Sequence, residues 1–136
     1  DDRTFLEVPA ASVMETTPDL LPTGRLIDVT GSPFDLRIPR PLGALDLDHV
    51  FTRILPGRVP VIEYRGLDLS VRLEASAGFG HVVVYSPKGE QYFCVENQTC
   101  STDAHNLFAR GLLPESGLKT APAGGQARGT VTYSVA

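Results

Sequence analysis

Basic clusters, long apolar runs and cysteine are what this sequence has least of. Its 12 Lys and Arg are outnumbered by 16 Asp and Glu, for a net charge of −4. They are scattered without a run, which argues against nucleic acid or an anionic membrane as partner. No apolar stretch approaches the roughly 18 residues of a spanning helix, and no signal peptide is visible. The chain opens on Asp1 rather than Met, so removal of an N-terminal segment stays open. Only Cys94 and Cys100 are available for a disulfide. Their close spacing across a strand end does not resemble a secreted framework, so two free thiols in a reducing, cytoplasmic compartment are expected. Asn97-Gln98-Thr99 fits a glycosylation sequon, a match common by chance and not expected to be used.

Several catalytic signatures are missing too. His49, His81 and His105 lie far apart, with no HxH, HExxH or CxxC pairing, so no metal is expected. There is no GxSxG elbow for a nucleophilic serine. There is no GxxxxGK phosphate loop, and nucleotide chemistry has no foothold.

What is present is a β pattern. At 136 residues and 42% hydrophobic, the chain is long and apolar enough to bury a core as one domain or a piece of one. Leu67 to Glu74 alternates apolar and polar residues without a break, as does Val131 to Val135 with its intervening polar residues. His81-Val82-Val83-Val84-Tyr85 is continuous and β-branched, suiting a strand covered on both faces. Further strands are expected near Phe5–Val8, Leu26–Val29, His49–Ile54, Val59–Tyr64, Tyr92–Glu96 and Leu118–Ala121. Thirteen Gly and eleven Pro punctuate these runs. No helical stripe lasts three turns. Asp103–Phe108 can make one helical turn, capped by Thr102 or Asp103. The class is all-β, an antiparallel β-sandwich. Because Arg3–Val8 already reads as a strand, the chain is expected to start inside a sheet and leave an edge needing an N-terminal partner.

Two carboxylates stand out. Asp48 opens the apolar strand that continues His49-Val50-Phe51, and Glu96 ends the run Phe93-Cys94-Val95. A buried Glu is costly unless paired or hydrogen-bonded. Each can be a solvated residue at a strand end or a carboxylate held at a pocket mouth, and the local pattern leaves both readings open.

Four stretches in order resemble one family. Leu21-Pro22-Thr23-Gly24-Arg25-Leu26-Ile27-Asp28-Val29 resembles the LPTGxxxxV segment of the aldose 1-epimerases (galactose mutarotases), and Gly31 to Arg37 resembles the G-T-x-F-D-L-R after it. Leu47-Asp48-His49-Val50-Phe51 is similar to (F/L)DHxF. Val95 to Thr99, followed by Asp103-Ala104-His105-Asn106, is similar to E-x-Q/T…(P)DAxN. The resemblance runs from about Phe5 to Ala136 and covers the C-terminal half of that family's large sandwich domain. It implies a cofactor-free enzyme acting on an aldose, with Glu96 as catalytic base and Asp48 hydrogen-bonding sugar hydroxyls. Arg37 and His49 are expected in the pocket wall. A Glu suits the base role if partial burial raises its pKa towards the working pH.

Two departures bear on that expectation. The family's general acid is a His in an H-x-Y-F-N-like motif of the N-terminal half, and nothing like it occurs here. None of the three histidines is assigned the role. Where galactose mutarotases read V-Q-F-Y-T, this chain reads Val82-Val83-Val84-Tyr85-Ser86. Val83 cannot make the hydrogen bonds of a Gln, so the sugar is expected to differ from galactose. Alternatives are a protein of the same kind for phosphorylated hexoses, a non-catalytic carbohydrate-binding sandwich, and a structural fragment. Binding modules usually present aromatic platforms, and this chain has no Trp and 7% aromatics. A companion N-terminal half-chain is expected, since a half-sandwich would expose apolar surface; self-association is the fallback.

Overall fold

The computed structural model describes residues 3–136 and is built from ten antiparallel strands. In chain order they are β1 (Thr4–Glu7), β2 (Ala10–Thr16), β3 (Pro22–Asp28), β4 (Arg40–Pro41), β5 (Leu47–Ile54), β6 (Val61–Tyr64), β7 (Leu69–Ala75), β8 (His81–Ser86), β9 (Cys94–Gln98) and β10 (Val131–Val135). Two short helices, α1 (Ala104–Ala109) and α2 (Leu113–Ser116), follow β9. The strands form two five-stranded sheets, one ordered β10-β7-β6-β1-β4 and the other β3-β2-β5-β8-β9. The fold is an all-β sandwich.

The core between the sheets follows from alternation. The first sheet contributes Leu6, Ile62 and Leu73, the second Val13, Phe51, Val82 and Val84, all buried in one cluster. Val8, Val29, Leu36, Leu42, Leu45 and Leu47 close its margins. Asn97 of β9 donates to the Leu73 carbonyl of β7 at 3.1 Å, joining the two sheets. That bond engages the amide of the sequon asparagine.

A second, smaller cluster lies on the outer face of the second sheet. Met14, Val50 and Leu107 are buried there, with Leu26, Val83 and Leu112 packed against them. The α1–α2 segment therefore covers part of that face. It is pinned by His81, whose Nε2 lies 3.1 Å from the Glu115 carbonyl. Gly117 ends α2 at φ +61°, and a Cβ there would fall 2.5 Å from the His81 ring. Only glycine fits both the conformation and the contact.

The expected strands form, with differences at four places. Leu118–Ala121 is irregular, and β2 and the two-residue β4 are strands that periodicity did not indicate. Nor is β1 an edge: it pairs with β6 on one side and with β4 on the other. Two residues of β4 suffice to occupy Phe5 and Leu6, so the open edges are at β4 and β10, and at β3 and β9.

Candidate functional site

The outer face of the second sheet collects the carboxylates. Along β5 the side chains alternate, so Leu47 and Phe51 enter the core while Asp48 and Val50 turn outward. Asp48 is opposite Tyr85, and Tyr85 is opposite Cys94. One step along the same face, Val50 is opposite Val83, and Val83 opposite Glu96. The next row runs Thr52, His81, Gln98. Asp48 and Glu96 are thus two strands and two residues apart on one face. With strands about 4.8 Å apart and about 3.4 Å per residue, their Cα atoms are roughly 12 Å apart. The strip between them carries Val83 and Tyr85.

Both carboxylates are exposed. Of the two readings that the sequence left open for Glu96, the structure has it solvated near the end of a strand, and Val95 beside it is the residue that packs on the core. One oxygen of Glu96 accepts a hydrogen bond from Gln98 Nε2 at 3.1 Å, which fixes its rotamer from two residues along the same strand. Tyr85 borders Asp48 on the neighbouring strand. Its ring centroid is 6.2 Å from that of Tyr92 at 43°. A hydrogen bond to Tyr92 and that ring's own charge push the Tyr85 phenol pKa up, aided by partial desolvation and the nearby Asp48 and Glu90.

The other two expected residues lie elsewhere. His49 follows Asp48 in sequence and so takes the opposite face, where its ring is 4.6 Å from Phe34 and Nδ1 accepts from the Asp48 backbone N–H at 3.0 Å. Burial lowers its pKa, opposed by Asp48. Arg37 sits in the β3–β4 loop, with Nε and Nη2 donating to the two oxygens of Asp35 at 2.8 and 2.6 Å and Nη2 reaching Thr30 at 3.2 Å. It feels Asp28, which is level with Ser12 and Thr52. That is four residues, roughly 14 Å, along the strands from Asp48.

Of the remaining histidines, His81 shares the outer face but is buried beneath α2, and burial lowers its pKa. His105 is exposed on α1. Among the described residues no group of three or more His, Cys, Asp or Glu could hold a metal, and no helix is long and apolar enough to cross a membrane. Both cysteines are free, Cys94 exposed on the candidate face. A cleft of about 770 Å³ opens instead at the end of the sandwich, lined by Leu42, Tyr64, Glu90, Tyr92 and Phe93 among others. It adjoins the face at Tyr92 and Glu90, both near Tyr85.

Sequence reasoning did not single out Tyr85 or Gln98. The period-two rule contained the signal, because 94, 96 and 98 must share a face, as must 83 and 85.

A sandwich with an exposed carboxylate pair on an outer sheet face defines the class of site. The aldose 1-epimerase family model matches residues 2–119, and the chain belongs to that family. Two crystal structures are similar in fold. A galactose mutarotase-like protein from Clostridium acetobutylicum superposes with a TM-score of 0.77 at 18% identity, covering 99% of this chain and 42% of that one. A GalM/aldose epimerase homologue from C. elegans gives 0.67 at 17%, covering 99% and 46%. The chain spans less than half the length of each. No curated protein matches it.

Proposed function

We propose that this chain is the C-terminal part of an aldose 1-epimerase domain, and that the whole protein interconverts the α- and β-anomers of a free aldose. The observation that supports this most is the placing of Asp48 and Glu96 on one exposed strip, a sugar's breadth apart, in a member of that family. Glu96 takes the proton from the anomeric hydroxyl while an acid protonates the ring oxygen. The ring opens to the aldehyde, C1–C2 rotates, and the pair works in reverse to close it. Asp48 holds sugar hydroxyls through charge-assisted hydrogen bonds. The acid belongs to the part of the domain that lies N-terminal in this reading. Glu96 is open to water in this chain, so its desolvation falls to the bound sugar and that companion part.

The reading for phosphorylated hexoses has less support. Arg25, Arg37, Arg58 and Arg65 are each tied to a carboxylate, and none of them lines the strip. The test is anomer exchange of D-glucose and D-galactose, followed by NMR on the full-length protein. Glu96→Gln should lower the catalysed rate by at least about a hundredfold, the usual scale for losing a general base, with unfolding unchanged. A variant with near-normal activity removes Glu96 from the mechanism.

A further inference from the structure

We propose that Tyr85, braced by Tyr92, is a substrate-binding residue: the platform against which the C–H face of the sugar rests beside Asp48. The inference deepens the epimerase reading and rests on it. Tyr85 occupies the corner of the strip, directly across from Asp48 and two residues from the Val83 that faces Glu96. Directly opposed side chains have Cβ atoms about 4.5–5.5 Å apart, so whatever Asp48 binds is within reach of the Tyr85 ring.

Neither ring is part of the apolar core, and Tyr92 is 56% exposed. A half-buried Tyr85 packed against an exposed Tyr92, beside a carboxylate and next to an apolar Val83, combines two kinds of surface. A pyranose has the matching pair: a hydroxyl edge for the carboxylate and a face of axial C–H groups for the electron-rich side of an aromatic ring. Val83 has no donor or acceptor to offer a hydroxyl, so it leaves orientation to Asp48, Glu96 and the stacked ring. The 6.2 Å, 43° packing of Tyr92 limits how far the Tyr85 ring can swing. The ligand class is an aldopyranose with an uninterrupted C–H face.

The experiment compares full-length wild type, Glu96→Gln, Tyr85→Leu, Tyr85→Phe and Tyr92→Leu, with D-glucose and D-galactose as probes. Tyr85→Leu should raise KM up to about tenfold, the scale of a lost aromatic contact, with kcat within about twofold. Tyr85→Phe should keep the wild-type KM, because the ring and not the hydroxyl carries the contact. Tyr92→Leu should lie between. A KM for Tyr85→Leu within twofold of wild type, with Glu96→Gln inactive, overturns the platform and leaves the epimerase reading standing. A wild type that accelerates neither anomer exchange overturns both. If Tyr85→Leu does not fold, nuclear Overhauser effects from isotope-labelled tyrosine rings to sugar C–H protons decide on the wild-type protein. Their presence at Tyr85 supports the platform and their absence refutes it.

Discussion

The two faces of the β3-β2-β5-β8-β9 sheet are made by the same strands and differ in almost every other respect. The inner face carries Val13, Phe51, Val82 and Val84, all at 1% exposure or less. The outer face carries Asp48, Tyr85, Cys94, Glu96 and Gln98 along its open part and is apolar only under α1 and around Val83. A strand that must bury every second residue leaves the alternate residues free for chemistry, held by a backbone that the buried set makes rigid. The inner face is therefore where substitutions should cost stability, and the outer face where they should cost function.

The largest expected effect breaks the inner face. Phe51 is wholly buried between the sheets. Phe51→Ala removes its transfer energy and leaves a cavity, for a loss of about 3–5 kcal/mol. Urea unfolding measures it. A loss under about 1 kcal/mol would mean that the inner face is not the core and that the contrast between faces is false.

The outer face offers the converse. Asp48→Asn keeps the shape and removes the charge that, in the function proposed above, strengthens hydrogen bonds to a sugar. The expected cost in binding is about 1.5–3 kcal/mol, a roughly ten- to hundredfold rise in KM. Stability should move by no more than about 0.5 kcal/mol, as for exposed residues generally. Equal losses in stability and binding would show that Asp48 belongs to the scaffold.

How much of this was legible in sequence depended on the face. The alternation of Leu69 to Ala75 and Val131 to Val135 gave β7 and β10 directly, because one side of each strand stays wet. β2 escaped notice because it is buried on both sides. Val13 enters the inner core and Met14 the outer cluster, and small Ala10, Ala11 and Ser12 blur any period. Leu118–Ala121 has a strand's composition, but its first amide is taken by the Ser116 hydroxyl, and Pro122 and the glycines after it offer no ladder partner. Asp48 and Glu96 emerged from motif order, not from periodicity. The same alternation, applied to 94–98 and 83–85, places Gln98 and Tyr85 beside them. It also sends His49 to the Phe34 side, since neighbours in a strand never share a face. Arg37 is held in its loop by Asp35 and Thr30, contacts that no spacing rule reveals.

The smallest effect belongs to a rim that serves neither face. Glu15, at the register shift between β2 and β3, accepts from Arg25 and from the Thr23 hydroxyl, and those bonds lower its pKa to about 2. A carboxyl whose folded pKa is depressed stabilises the fold above its unfolded value, near 4.5, and loses that contribution as pH falls towards 2. The pair is at the surface, where salt screens it. Glu15→Gln should therefore melt slightly below wild type at neutral pH and low salt. The two melting curves should converge as pH falls from about 4.5 to about 2, or as salt is raised. KM should not change at any pH, because Glu15 is on the β2–β3 rim and not on the Asp48–Glu96 strip. A gap in melting temperature that widens on acidification would reverse the sign and remove Glu15 as its source. A change in KM would extend the functional strip across the sheet to β3, and the division between a structural rim and a working face would have to be redrawn.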